Sequence, residues 1–301
     1  MNCFVDCFEL LLRFCPSPAR SIVKKIEDFI ANAEFLPPAF QLLPRLLLLL
    51  EDVEANADAL ADLIRVDPGL TADVLRVCNS ATYGLTYRAE NIQQAILRIG
   101  FREVHRILMS VIMSPALKNP QNTYAAPQTD LWNHSLAAAV ASQSIAQTAG
   151  LDTDLAFTAA LLHDIGKVVL SHAVPQEVTS ATTMAAEKNL PIYKAERAVL
   201  KTDHAAVGAR LLERWGFPRN ISTAVRFHHE PENAKEENQM AACVCLANVL
   251  AYRIEDPPAF PEYVVFPNAH ALEELGFTQP SLEVLVHEAR VQFANAQKSF
   301  L

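Results

Sequence analysis

Apolar residues recur at intervals of three and four along almost the whole chain, the period of amphipathic helices, and the pattern predicts an all-α protein. A first helix is predicted over Ala55–Val66, closed by the turn residues Asp67-Pro68-Gly69. A second follows over Leu70–Cys78, with Thr71 as its cap and Leu70, Val74, Leu75 and Cys78 on one side. Asn79 to Gly84 breaks the pattern. Asn91 can cap a helix to Ile99, Gly100 ends it, and Arg102–Met113 begins another.

Between Lys118 and Pro127 the chain turns polar, and this stretch divides it into an N-terminal helical unit, 1–125, and a helical bundle, 126–301. Asp130–Thr148 reads as a long Ala-rich helix stopped by Gly150. Asp152 and Thr153 offer caps for a helix that carries His163-Asp164 and continues to Ala173, before Pro175. Asp203 can cap the helix holding His204, and Pro218 opens one that ends at His228-His229. Met240–Ile254 and Ser281–Gln297 complete the set.

With 51% hydrophobic and 20% charged residues in 301, the chain can bury a sizeable core. Glycine is scarce, at 8, which favours helix over strand. A net charge of -9 gives no general attraction to phosphate backbones, and no basic run exceeds Lys24-Lys25, so direct nucleic-acid binding is not expected. The apolar run Leu42–Leu50 is broken by Pro44 and Arg45 and is too short to span a bilayer. The apolar N-terminus is interrupted by Asp6, Glu9 and Arg13, which argues against a signal peptide; neither stretch predicts membrane insertion. The six cysteines form no CxxC pair, and reduced thiols in a cytoplasm are expected; Cys3, Cys7 and Cys15 read as apolar packing along one helix.

Chemistry concentrates in the second half. Adjacent His163 and Asp164 in an apolar helix are costly unless both have partners, and a divalent metal removes that cost. Asp130 and His134, one turn apart, share a helix face. Gathered with His204 and His228-His229, they would present the nitrogen and oxygen ligands that suit Fe, Mn, Zn or Ni. Asp164 has two oxygens and can bridge two ions, and such a pair can hold a phosphodiester and generate hydroxide near neutral pH. Lys167, one turn beyond, would face the charge developing on a phosphoryl group. A second reading of His163-Asp164 stays open: a hydrogen-bonded pair that stabilises a helix junction. His105, His172, His270 and His287 have no partners in the sequence and are read as structural or solvent-facing, and Trp132 and Trp215 as core anchors.

The order His134, His163-Asp164, His204, His228-His229 resembles the HD superfamily of metal-dependent phosphohydrolases. The segments Leu161–Lys167 and His228-His229-Glu230 are similar to its HD-GYP phosphodiesterase branch. Asp67-Pro68-Gly69-Leu70, Leu75, Asn79-Ser80-Ala81 and Ile99-Gly100 resemble the HDOD domain, an HD-related output domain of bacterial signalling proteins, over about Leu36 to Asn233. The resemblance implies a metal set of His134, His163, Asp164, His204, His228 and His229, with Asp130 and Asn248 as weaker members, holding one or two ions. Asp164 and Lys167 would be the catalytic residues of an active enzyme. A catalytic HD protein closes its set with an Asp in a Leu-Ala-Asp context, whereas here Leu246-Ala247 precedes Asn248, and no Gly-Tyr-Pro follows Glu230.

These features predict a cytoplasmic regulatory output domain, an N-terminal helical unit packed on an HD-like bundle, responsive to a signalling partner or a nucleotide-type ligand and weakly catalytic or silent. The alternative is an active phosphohydrolase acting on a nucleotide or cyclic dinucleotide.

Overall fold

The structure is a computed structural model that describes residues 26–31, 36–51, 57–64, 67–119, 123–124, 131–235, 238–254 and 267–300. Asp130 and the three N-terminal cysteines lie outside them. Every regular element among the described residues is helical. The N-terminal helices are α1 (Leu43–Glu51), α2 (Ala57–Ile64), α3 (Pro68–Cys78), α4 (Ile92–Ile99) and α5 (Phe101–Leu117), with a short 3₁₀ turn at Ala81–Tyr83. The bundle follows as α6 (Leu131–Ala149), α7 (Thr153–Leu162), α8 (Ile165–Ala173), α9 (Pro175–Lys188), α10 (Ile192–Leu200), α11 (His204–Arg214), α12 (Arg219–Phe227) and α13 (Asn238–Ile254). Two C-terminal helices, α14 (Ala269–Glu274) and α15 (Gln279–Ser299), close the chain.

Local chemistry sets most boundaries. Asn91 and Asp152 cap α4 and α7 as expected, accepting from the amides of Gln94 and of Asp154 and Leu155. At α3 the cap is Asp67, not Thr71: its carboxylate accepts from Leu70 N at 3.0 Å, and Pro68 takes the first helical position, where a missing N–H costs nothing. Thr71 falls inside the helix and turns its hydroxyl to the Ile64 carbonyl. Gly100, at φ 90°, separates α4 from α5.

Helix α6 lies against α7, α13, α15 and α5. Its sequence explains how: the buried run Ala137-Ala138-Ala139-Val140-Ala141 has almost no side-chain bulk, so neighbours approach closely on several sides. One apolar cluster runs continuously from the N-terminal helices through the bundle to α15. Trp132 is buried edge-on against Phe300, and the partly buried Trp215 meets Phe40. Cys78, Cys243 and Cys245 are buried free thiols whose pKa burial pushes up to about 12, which makes them inert.

His105 is a structural histidine, with Nε2 2.9 Å from the Leu46 carbonyl across the α5–α1 contact. Burial lowers its pKa to about 4. Because the folded pKa lies below the unfolded value of about 6.5, the folded state favours the neutral ring. Its stability contribution is complete above that value and is lost as pH falls towards 4, by about 3 kcal/mol in all. Urea denaturation at pH 7.5 and 4.5 should show a smaller acid-induced loss in His105→Gln than in the wild type; equal losses would refute this role.

Candidate metal centre

The sequence predicts one unbroken helix through His163 and Asp164. Instead α7 stops at Leu162 and α8 starts at Ile165, with Asp164 between them at φ -101°, ψ 8°. In a continuous helix these side chains would point about 100° apart; the break lets both turn to one centre. Gly166, just beyond the break, permits a close helix crossing. A Cβ there would lie 1.9 Å from the His204 carbonyl oxygen, so the backbones of α8 and α11 nearly touch, and Asp164 lies beside His204. The same device operates at the other histidine pair. Helix α12 ends at Phe227, so His228 and His229 follow it in a turn with ring centroids 3.9 Å apart, and His229 joins the site more fully than an uninterrupted helix would allow.

Asp164 is the hub. Its Oδ2 lies 2.6 Å from Lys167 Nζ, 3.3 Å from His163 Nε2 and 4.0 Å from His134 Nε2. Its Oδ1 lies 3.2 Å from His204 Nε2 and 3.9 Å from His228 Nε2. Two triads of potential ligand atoms result, His134/His163/Asp164 and His204/His228/His229, meeting at one buried carboxylate. Burial alone would raise the Asp164 pKa, but His163, Lys167 and hydrogen bonds to the charged form hold it well below the usual carboxylate range. Burial lowers the pKa values of His163, His228 and His229, keeping these rings neutral as ligation requires. Burial also acts to lower that of His204, but Glu196 and Asp164 outweigh it and raise the value to about 9.

The donor set fits a divalent cation. His163 Nε2 and His228 Nε2 are buried without a hydrogen-bond partner, and Asp164 Oδ1 has His204 Nε2 beside it at 3.2 Å, an expensive arrangement for polar atoms facing one centre. Their other ring nitrogens are already engaged: His163 Nδ1 and His228 Nδ1 lie 2.6 and 2.7 Å from the Ala160 and Val225 carbonyls, so each Nδ1–H donates there and each Nε2 keeps its lone pair. Asn248 Oδ1 lies 2.9 Å from His134 Nε2, which therefore donates to the amide.

Sequence reasoning missed Glu196. It is completely buried, and its Oε2 accepts from both the backbone N–H and Nδ1–H of His204, at 2.9 and 2.7 Å. It thereby fixes the ring with Nε2 towards Asp164. Around the rim, Tyr193 stacks on His229 with centroids 4.4 Å apart, and Arg197 forms a two-pronged pair with Glu230 at 3.0 Å. Asp203, expected only as a cap, accepts from both Ala206 N and Arg197 Nε.

Residues 36–231 match the family model of the HDOD domain, close to the span at which the sequence resembles it. The chain belongs to the HDOD domain family. An HDOD domain protein of unknown function from Geobacter sulfurreducens has the same fold, with a TM-score of 0.74 and 22% identity over 94% of this chain and 99% of that one. An uncharacterized protein of Treponema pallidum (strain Nichols) is 29% identical over 203 residues, 66% of this chain and 39% of its own length. A ribonuclease Y of Thermus thermophilus is 31% identical over 118 residues, 39% of this chain and 16% of that enzyme. The HDOD chain thus spans well under half the length of these two relatives. No helix among the described residues is long and apolar enough to cross a membrane.

Proposed function

We propose that this HDOD chain is a regulatory output domain that holds one or two divalent ions at the His/Asp centre and hydrolyses phosphodiesters slowly or not at all. The observation that carries the reading is Asn248. An aspartate at this position would add a negative charge beside His134 and a charged oxygen to the donor set. The amide is neutral, and its oxygen is already taken by the His134 N–H. Lys167 holds Asp164 Oδ2 from the other side, so His134 and that oxygen are already engaged, while His163 Nε2 and His228 Nε2 stay unpartnered.

His163, Asp164, His204, His228 and His229 would hold the ions, and His134 would hold one weakly. A bound divalent ion supplies Lewis-acid polarisation of a phosphoryl oxygen and a lower pKa for its water. The chain itself contributes the low-dielectric setting, the orientation of His204 through Glu196, and the Lys167 ammonium at the edge of the centre.

Asn248→Asp tests the reading. It should strengthen Mn binding at the His134 end by about tenfold or more, on the scale of one added charge-assisted contact, and raise hydrolysis of a generic phosphodiester above a wild-type rate near background. Robust metal-dependent turnover by the unmodified chain, abolished by Asp164→Asn, would refute the proposal.

That result would establish the second reading, an active phosphohydrolase on a nucleotide or cyclic dinucleotide. It is favoured by the placement of one carboxylate between two ligand triads and by the local likeness to ribonuclease Y. The HD-GYP likeness of Leu161–Lys167 supports it too, although the segment after Glu230 lacks that branch's Gly-Tyr-Pro.

A further inference from the structure

A second cavity, of about 590 Å³, opens where the N-terminal helices, the bundle and α15 meet. Its volume falls within the range of small-molecule sites. Ile107 of α5, Leu136 and Val140 of α6, and Phe157 of α7 give it apolar walls. Facing the same space are four side-chain amides: Gln143 and Gln147, one turn apart on α6, and Gln292 and Asn295 on α15.

The charged residues at its edge are already matched. Glu103 accepts from the Tyr83 hydroxyl at 2.9 Å and from Arg106 Nη1 at 3.0 Å. Arg106 Nε donates to the buried Asp154 at 2.7 Å, and Arg102 pairs with the same carboxylate. With its amide oxygen turned to the guanidinium, Gln143 also accepts from Arg106 Nε at 3.0 Å. Two arginines and two carboxylates thus cancel, and an anionic ligand would find no uncommitted guanidinium. What the cavity offers is apolar surface and amide donors and acceptors.

We infer that this cavity binds an uncharged nucleobase or nucleoside, with adenine the best match. A flat ring can lie against the apolar wall while a Gln or Asn amide pairs two-pronged with its edge, as these side chains do with adenine. The inference is independent of the metal reading, but the sites share an element: α7 starts at Thr153 on the cavity and ends at Leu162, next to His163, about 15 Å away along the helix axis.

The test is calorimetric titration of the full chain with adenosine, guanosine, cytidine, uridine and inorganic phosphate. Adenosine is expected to bind at one site. Gln147→Leu, at an exposed position that does not threaten folding, should weaken binding at least tenfold, and Val140→Trp, which fills the space, should abolish it. Stripping the wild-type chain of metal with a chelator should leave it unchanged. Absence of nucleoside binding, displacement of adenosine by inorganic phosphate, insensitivity to Gln147→Leu, or loss on metal removal would each overturn the inference.

Discussion

Metal-stripped Asp164→Ala protein should be about 3–5 kcal/mol less stable than the wild type in urea denaturation, the cost of removing one partner from a buried ion pair. The carboxylate is 1% exposed, and Lys167 and His204 both lean on it. Removing it leaves the Lys167 ammonium, itself 8% exposed, without its closest counter-charge. The double change Asp164→Leu with Lys167→Met should recover much of the loss, because the orphaned charge is removed as well. In thermal melts, Mn should raise the wild-type Tm and leave Asp164→Ala unmoved. A wild-type urea midpoint for the metal-stripped single variant, or an unchanged Mn response, would show that Asp164 is not the hub described above.

Gly166→Ala should cost about 3 kcal/mol or more, beyond ordinary overpacking, because the added methyl meets backbone rather than a movable side chain. It would lie 1.9 Å from the His204 carbonyl oxygen and 2.8 Å from Gly208 N. Separating α8 from α11 would carry His204 away from Asp164, so metal affinity should fall along with stability. Gly208→Ala, whose nearest contacts are 3.1 to 3.4 Å, should cost clearly less. Denaturation of both variants, with Mn titration of any folded fraction, decides the matter; equal midpoints for Gly166→Ala and wild type would refute the close crossing.

The helices were largely legible in the sequence because their caps are local: Asn91, Asp152 and Asp203 each accept from an amide two or three residues ahead. The histidine set was legible because its members converge as their order suggested, with Lys167 one turn from Asp164. The break between α7 and α8 was not, and neither was the close crossing beside it, which sets Gly166 against a backbone oxygen 38 residues away, at residue 204. Glu196 was hidden for a similar reason: in a continuous helix a glutamate eight residues before a histidine would lie about 12 Å from it along the axis, and only the turn from α10 into α11 brings them together. The second cavity could not be read at all. Its walls come from positions as distant as Arg106, Gln147 and Asn295, each ordinary in its own helix.

If the centre holds a cation as proposed, the Lys167 ammonium would compete with it for Asp164. A cation taking Asp164 Oδ2 would have to displace a resident positive charge, whose Nζ already lies 5.9 Å from the Tyr124 ring. A monovalent ion making that swap adds no charge beside the carboxylate and gains little over the lysine it evicts, whereas a divalent ion adds one. A tethered side chain would therefore favour divalent over monovalent cations at the carboxylate, as a competitor whose local concentration never falls.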